Sequence, residues 1–125
     1  MGDWNIDFLE REEVVRLTAN GSVDLPDIEQ MGAELFSAAA LRGSSKMLVD
    51  HREMTPEVST VDIYDLPDVL EKLGFARSSK MAILLVAGAL KRADYDFFET
   101  VSINRGFQVR LFLDPDEALG WLRAE

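Results

Sequence analysis

The chain carries one imidazole, His51, set between an acid and a base in Asp50-His51-Arg52, directly after the apolar run Met47-Leu48-Val49. An Asp beside a His is the pairing that acid–base and triad chemistry uses, because the carboxylate fixes the imidazole tautomer and steadies its charged form. Any such mechanism here must run through His51. The same residues allow quieter readings: His51 closing a strand end or facing solvent, and Asp50 ion-paired with Arg52 two positions on. A second basic pair, Lys91-Arg92, follows the most apolar run of the chain, residues 81–87. In an open α/β sheet ligands gather beyond the carboxyl ends of the strands. Asp50, His51, Arg52, Lys91 and Arg92 are therefore the candidate ligand- or partner-binding residues, provided the strand order brings both ends to one edge.

Composition narrows the chemistry. With no Cys there is no thiolate nucleophile, disulfide framework or Cys-ligated metal, and a single His excludes multi-His metal sites. No Walker loop, G-x-G-x-x-G or G-x-S-x-G is present. Asp114 and Glu117 read as helix capping, not as a glycosidase pair. The expectation is a protein that is not an enzyme, with no catalytic residues, no metal and no cofactor. A net charge of −10 argues against nucleic acid, whose phosphates call for surplus Lys and Arg. Residues 1–30 hold eight acids and two Arg, so −6 of that charge lies there. This acidic segment is either a solvated face or a docking surface for a basic partner. The acidic opening is the reverse of a signal peptide, and the longest apolar stretch, ten residues at 81–90, is half of a membrane span. A cytoplasmic protein without a membrane span is expected.

The elements that must position these residues follow from periodicity. Trp4, Ile6 and Phe8 alternate with polar neighbours, a polar turn follows at Glu10 to Glu12, and Val14, Val15 and Leu17 then lead to Asn20-Gly21, which predicts a β-hairpin of two short, adjacent strands. Ile28, Met31, Leu35 and Ala39 predict a helix over 24–41, capped by Asp24 and stopped by Gly43. Met47-Leu48-Val49 reads as a buried strand that ends at Asp50-His51-Arg52, followed by a long loop over 51–64. Asp65-Leu66-Pro67-Asp68 repeats Asp24-Leu25-Pro26-Asp27 and marks a second helix start, with Val69, Leu70 and Leu73 as its stripe. A central strand at 81–87, a helix over 94–105 with Phe97, Phe98 and Val101 on one side, a strand at 109–113 and a helix opened by Asp114-Pro115 complete the order. Strands alternating with helices imply right-handed crossovers, hence an α/β domain over 1–125 with a mostly parallel sheet and an antiparallel edge. That edge also leaves room for a homodimer.

The hairpin, the helix, Met47-Leu48-Val49-Asp50-His51-Arg52, Met81-Ala82-Ile83-Leu84-Leu85-Val86, and Val109-Arg110-Leu111-Phe112-Leu113-Asp114 with Glu117-Ala118-Leu119-Gly120-Trp121-Leu122 together resemble the SpoIIAA-like family of bacterial proteins, with a STAS/SEC14-type fold. The resemblance implies a single STAS-like domain, with a mixed sheet of about five strands and about four helices packed mainly on one face. Relatives called anti-sigma-factor antagonists switch partners when a Ser or Thr at the start of the helix after the third strand is phosphorylated. Ser59 and Thr60 occupy the matching region and are the candidate phosphorylation sites, although the Asp-Ser-Ser/Thr-Gly pattern of that family is absent. The SEC14 side of the resemblance implies an apolar pocket for a lipid-like ligand. The leading expectation is a non-enzymatic regulatory or protein-interaction module whose contact surface is loop 51–64 and the helix after it. The alternative is a small carrier of a lipid-like or anionic ligand at the carboxyl edge of the sheet.

Overall fold

The structure, a computed structural model, describes residues 2–124; Met1 and Glu125, the ends of the expected 1–125 domain, lie outside the described residues. Its elements are β1 (Asp3–Leu9), β2 (Val14–Asp24), α1 (Leu25–Arg42), β3 (Lys46–Glu57), α2 (Thr60–Leu73), β4 (Lys80–Leu84), α3 (Arg92–Asn104), β5 (Gln108–Phe112) and α4 (Pro115–Arg123). All the strands join one sheet in the order β1-β2-β3-β4-β5, with β1 antiparallel to β2 and every later pairing parallel. This is the mixed, hairpin-led α/β sheet that the sequence predicts.

Strand pleating divides the apolar side chains between two layers. Leu17, Val49, Met81, Ile83 and Val109 face one side, where α1, α2 and α3 cover them. Val14, Leu48, Ala82, Leu84 and Phe112 face the other, beneath Ala118 and Leu122 of α4. The first layer is held at one end by a stack of rings, Phe36 on Phe75 at 5.4 Å and Phe75 on Phe107 at 5.3 Å between centroids. Gly74 makes the turn that delivers Phe75 into this stack. Its φ of 122° is one that side-chain-bearing residues avoid, and a Cβ there would stand 3.2 Å from Phe36 Cβ.

The cap chemistry is as the sequence indicates at two helices. Asp24 accepts from Asp27 N–H at 3.0 Å and Asp27 reciprocates, while Asp114 accepts from Glu117 N–H at 3.2 Å. Four expectations need correction. There is no loop over 51–64, because β3 continues through Glu57 and α2 begins at Thr60. Asp50-His51-Arg52 therefore lies within the strand. The second Asp-Leu-Pro-Asp is not a helix start: Pro67 sits inside α2, two turns in, and the helix is opened by Ser59, whose hydroxyl accepts from Asp62 N–H at 3.1 Å. Lastly, the second strand does not stop at Asn20-Gly21. The polar turn expected at 10–12 does join β1 to β2, with Glu13 at φ 57°, but β2 spans 11 residues and ends at Asp24.

Candidate functional site

The geometry around His51 originates in a bulge. Thr18 pairs with Asp50 and Asn20 with Glu53, so two steps along β2 are matched by three along β3. The extra residue shifts the phase of the pleat. Before it, Met47 and Val49 face the three-helix side; after it, Met54 and Pro56 do, and all four are buried. His51 stands at the phase change on the same side. Because β4 stops at Leu84, opposite Asp50, β2 and β3 extend past the rest of the sheet as a two-stranded ribbon from His51 onward.

Under this ribbon lies a partly open cavity of about 90 Å³. Its floor is Leu17, Val49, Met81 and Ile83, its walls come from Met31 and Leu35 of α1, Ile63 and Leu66 of α2, and Tyr95 and Phe98 of α3. His51, Asp94 and Tyr95 also border it, but the surface that the cavity presents is apolar throughout. Pro67 shapes the α2 wall: it supplies no amide for the Ile63 carbonyl, one turn back, at the point where Ile63 and Leu66 meet the cavity.

His51 Nδ1 lies 3.0 Å from the Tyr95 hydroxyl, while Nε2 is buried and has no hydrogen-bond partner. Burial penalises the imidazolium and pushes the His51 pKa down to about 4, against the opposing pull of Asp50. The ring is neutral near pH 7. Tyr95 is shifted upward, first by its own burial and then by the Asp94 charge, so its hydroxyl keeps its proton.

The candidate binding residues do not form one site. Asp50 and Arg52 lie on the α4 side of the sheet, where Arg52 donates to Asp50 at 2.8 and 3.0 Å. Burial raises the Asp50 pKa, but the hydrogen bonds from Arg52 outweigh it and hold the carboxyl below its ordinary value. Arg16, bonded to Asp7 at 2.6 Å, also feels the Asp50 charge, so acids and bases there balance one another. With Asp50 bound to Arg52 and His51 to Tyr95, no Asp–His dyad is formed. Arg92 pairs with Asp96 at 3.0 Å, and Lys91 is the N-cap residue of α3, one turn before Tyr95. The fold thus brings His51 to the first turns of α3 and leaves Asp50 and Arg52 behind the sheet. Sequence reasoning missed Tyr95 and Met54. Tyr95, Phe98 and Ser102 repeat at helical spacing, which was the available signal for Tyr95. Ser59 and Thr60 are both exposed at the start of α2.

No protein-family model matches the chain, and no curated protein sequence does. Solved structures do. An anti-sigma factor antagonist from Mycobacterium paratuberculosis superposes with a TM-score of 0.65 at 16% identity, over 99% of this chain and 96% of that one. An uncharacterized protein from Shewanella loihica with a SpoIIAA-like fold gives 0.60 at 23% identity, over 97% and 93%. SpoIIAA, a Bacillus cell fate determinant, gives 0.57 in its phosphorylated form at 16% identity, over 97% and 100%. The chain has the SpoIIAA-like, or STAS, fold. Seen on the SpoIIAA-like fold, the site of this chain consists of the β3 bulge, the His51–Tyr95 contact and the cavity they border. Among the described residues no helix is long and apolar enough to cross a membrane, and no cluster of three His, Asp or Glu side chains is placed to hold a metal ion.

Proposed function

We propose that the chain is a non-enzymatic protein-interaction module of the cytoplasm, built on the STAS fold, which meets its partner through the start of α2 and is switched by phosphorylation at Ser59 or Thr60. The observation that carries this reading is a modifiable hydroxyl beside exposed apolar side chains. Ser59 caps α2 from an exposed position, and Val61 and Tyr64, one helical turn apart, are 69% and 54% exposed. Tyr64 is further braced by the Arg105 guanidinium, 4.5 Å above its ring, which holds it as a fixed surface feature. Solved relatives of the same fold are anti-sigma factor antagonists, and SpoIIAA among them exists in phosphorylated and unphosphorylated forms. Those names support the regulatory class, and the position of Ser59 directly after the third strand supports the location.

A phosphoryl group on Ser59 would place about two negative charges in the turn where Asp62 already accepts from the Ser59 amide. The helix N-terminus favours that charge, whereas Asp62 and an apolar partner surface disfavour it. The main effect expected is on association, with a smaller one on folding. Affinity capture from a bacterial lysate, run with the wild type and with a Ser59→Asp, Thr60→Asp double variant, tests the reading. The double variant should lose proteins that the wild type retains, and Val61→Asp should lose the same ones. Identical partner sets from all the proteins would refute the surface.

A further inference from the structure

The two edges of the sheet are not alike. At β5 the Glu99 carboxylate accepts from Leu111 N–H, so one donor on that edge is taken. At β1, the other edge, no side chain among the described residues bonds to a backbone group of Asp3–Leu9, and the strand contains neither Pro nor Lys, the residues that commonly blunt an edge. In an antiparallel pair every second residue turns both its N–H and its C=O away from the neighbouring strand. β1 is paired with β2 over its whole length, from Asp3↔Asn20 to Leu9↔Val14, so its outer groups stand in a regular row. Gly2 seats the start of that row, since a Cβ there would stand 2.6 Å from Val23 Cγ2.

The faces of β1 determine what an added strand must carry. Trp4, Ile6 and Phe8 point to the three-helix side and are only partly buried. α1 runs beside them: Trp4 Nε1 donates to Glu34 at 3.0 Å, and the Arg42 guanidinium lies 4.7 Å above the Phe8 ring. A strand laid against β1 would lengthen this apolar row with its alternate side chains, since directly opposed residues bring their Cβ atoms within about 5.5 Å. The other face is acidic. Asp7 is matched by Arg16, whereas Asp3 is exposed and, among the described residues, meets only the Asn20 side-chain amide, at 3.2 Å. With −6 of the chain's charge in residues 1–30, the surroundings of the edge attract cations and repel anions. A second copy would bring the same acids with it, so like charges oppose the pairing of β1 with β1.

We infer that the β1 edge is a strand-addition site for an extended segment of a partner protein in which apolar and basic residues alternate. The apolar residues extend the row of Trp4, Ile6 and Phe8, and the basic ones lie on the face of Asp3 and Asp7. Backbone hydrogen bonds supply the affinity and the alternation supplies the choice of partner. The site is separate from the start of α2, and either reading stands without the other.

The test uses the whole ¹⁵N-labelled chain and a capped peptide of 7 residues, the length of β1, that alternates lysine and valine. Saturable amide shifts in Asp3–Leu9 are expected, and the affinity should fall at least about fivefold as salt is raised from about 0.05 M to about 0.3 M. A peptide of the same composition with its lysines and valines in separate blocks should bind at least about tenfold more weakly, because it cannot keep each kind of side chain to its own face. Two N-methylated forms of the alternating peptide read the backbone. Methyl groups on one alternate set of amides face β1 and should cost at least about tenfold, whereas those on the other set point to solvent and should leave the affinity within about threefold. The proposal is overturned if no saturable shift falls on β1, if salt leaves the affinity unchanged, or if the block peptide or both N-methylated peptides bind like the parent. It is equally overturned if the protein alone gives the same shifts as its concentration is raised, which would make a second copy the occupant.

Discussion

Tyr95, in the first turns of α3, holds the His51 ring of β3 through a hydrogen bond of 3.0 Å between its hydroxyl and Nδ1. The contact joins the packing of Met54 and Val23 in tying the ribbon beyond the sheet to the helix layer, and the burial of the ring that it holds makes the protein sensitive to acid. His51 has a pKa of about 4 when folded, below its ordinary value of 6.5. Between those values the unfolded chain binds a proton that the folded one does not, so stability is complete above about pH 6.5 and falls as the pH drops toward 4. The loss should be about 2 kcal/mol between pH 7 and pH 5. Asp7, hydrogen-bonded to Arg16, and Asp50, hydrogen-bonded to Arg52 despite its burial, also sit low, and add their losses only below about pH 4. Urea unfolding across this range should show the slope in the wild type and a flat profile for His51→Phe down to about pH 5. A wild-type midpoint that does not move over that range would refute the assignment.

Ser59 allows capping to be separated from surface chemistry. Its hydroxyl accepts from Asp62 N–H at 3.1 Å. Ser59→Ala removes that acceptor and should cost about 1 kcal/mol, whereas Ser59→Asp keeps a capping oxygen and should cost less than half as much. Urea midpoints of the two variants read this directly. If both are equally destabilised, the cap contributes through something other than its oxygen.

Much of the fold was legible because local signals and tertiary packing agree. Met81–Leu84 is apolar because it is covered on both faces, and Asp114-Pro115-Asp116-Glu117 carries the cap of α4 in its letters. The region from Asp50 to Tyr64 was misread for physical reasons. The bulge puts Asp50, His51, Arg52 and Glu53 in succession and moves the buried positions from odd to even, so no alternation survives for a period-of-two search to find. The start of α2 was hidden because Val61 and Tyr64 are apolar yet exposed, and because Pro67 looked like a first-turn proline. The reciprocal pattern Ser59-x-x-Asp62 was the signal that could have found it. The candidate site was half legible. The imidazole is singled out by the sequence, but that it faces away from Asp50 and toward Tyr95 follows only once β3 is seen to run on through it, since neighbouring residues of a strand point to opposite sides.

The stacked rings at the far end of the core give a measure of packing. Phe75 is 2% exposed and lies between Phe36 and Phe107 with interplanar angles of 12° and 16°. Phe75→Ala removes both contacts and leaves a void between side chains that are fixed by α1 and by the start of β5. The expected loss is about 3–5 kcal/mol, read as a fall in the urea midpoint with an unchanged slope. Phe75→Leu, which refills most of the volume, should recover more than half of it.

Glu99 protects an edge. β5 pairs on one side with β4 and is the last strand of the sheet, so the backbone groups of its outer side are open to pairing with another chain. The Glu99 carboxylate accepts from Leu111 N–H at 2.9 Å. It occupies a donor that an incoming strand would need, and it places a charge beside that edge. Glu99→Ala removes both obstacles while the net charge of −10 still opposes self-association at low salt. Dimer formation by the variant should therefore appear first as salt is raised to about 0.5 M, where the Debye length has shrunk to about 4 Å. Sedimentation of the wild type and of Glu99→Ala at low and high salt should show association confined to the variant at high salt. Equal behaviour of the two proteins under both conditions would mean that Glu99 is not what keeps the β5 edge apart.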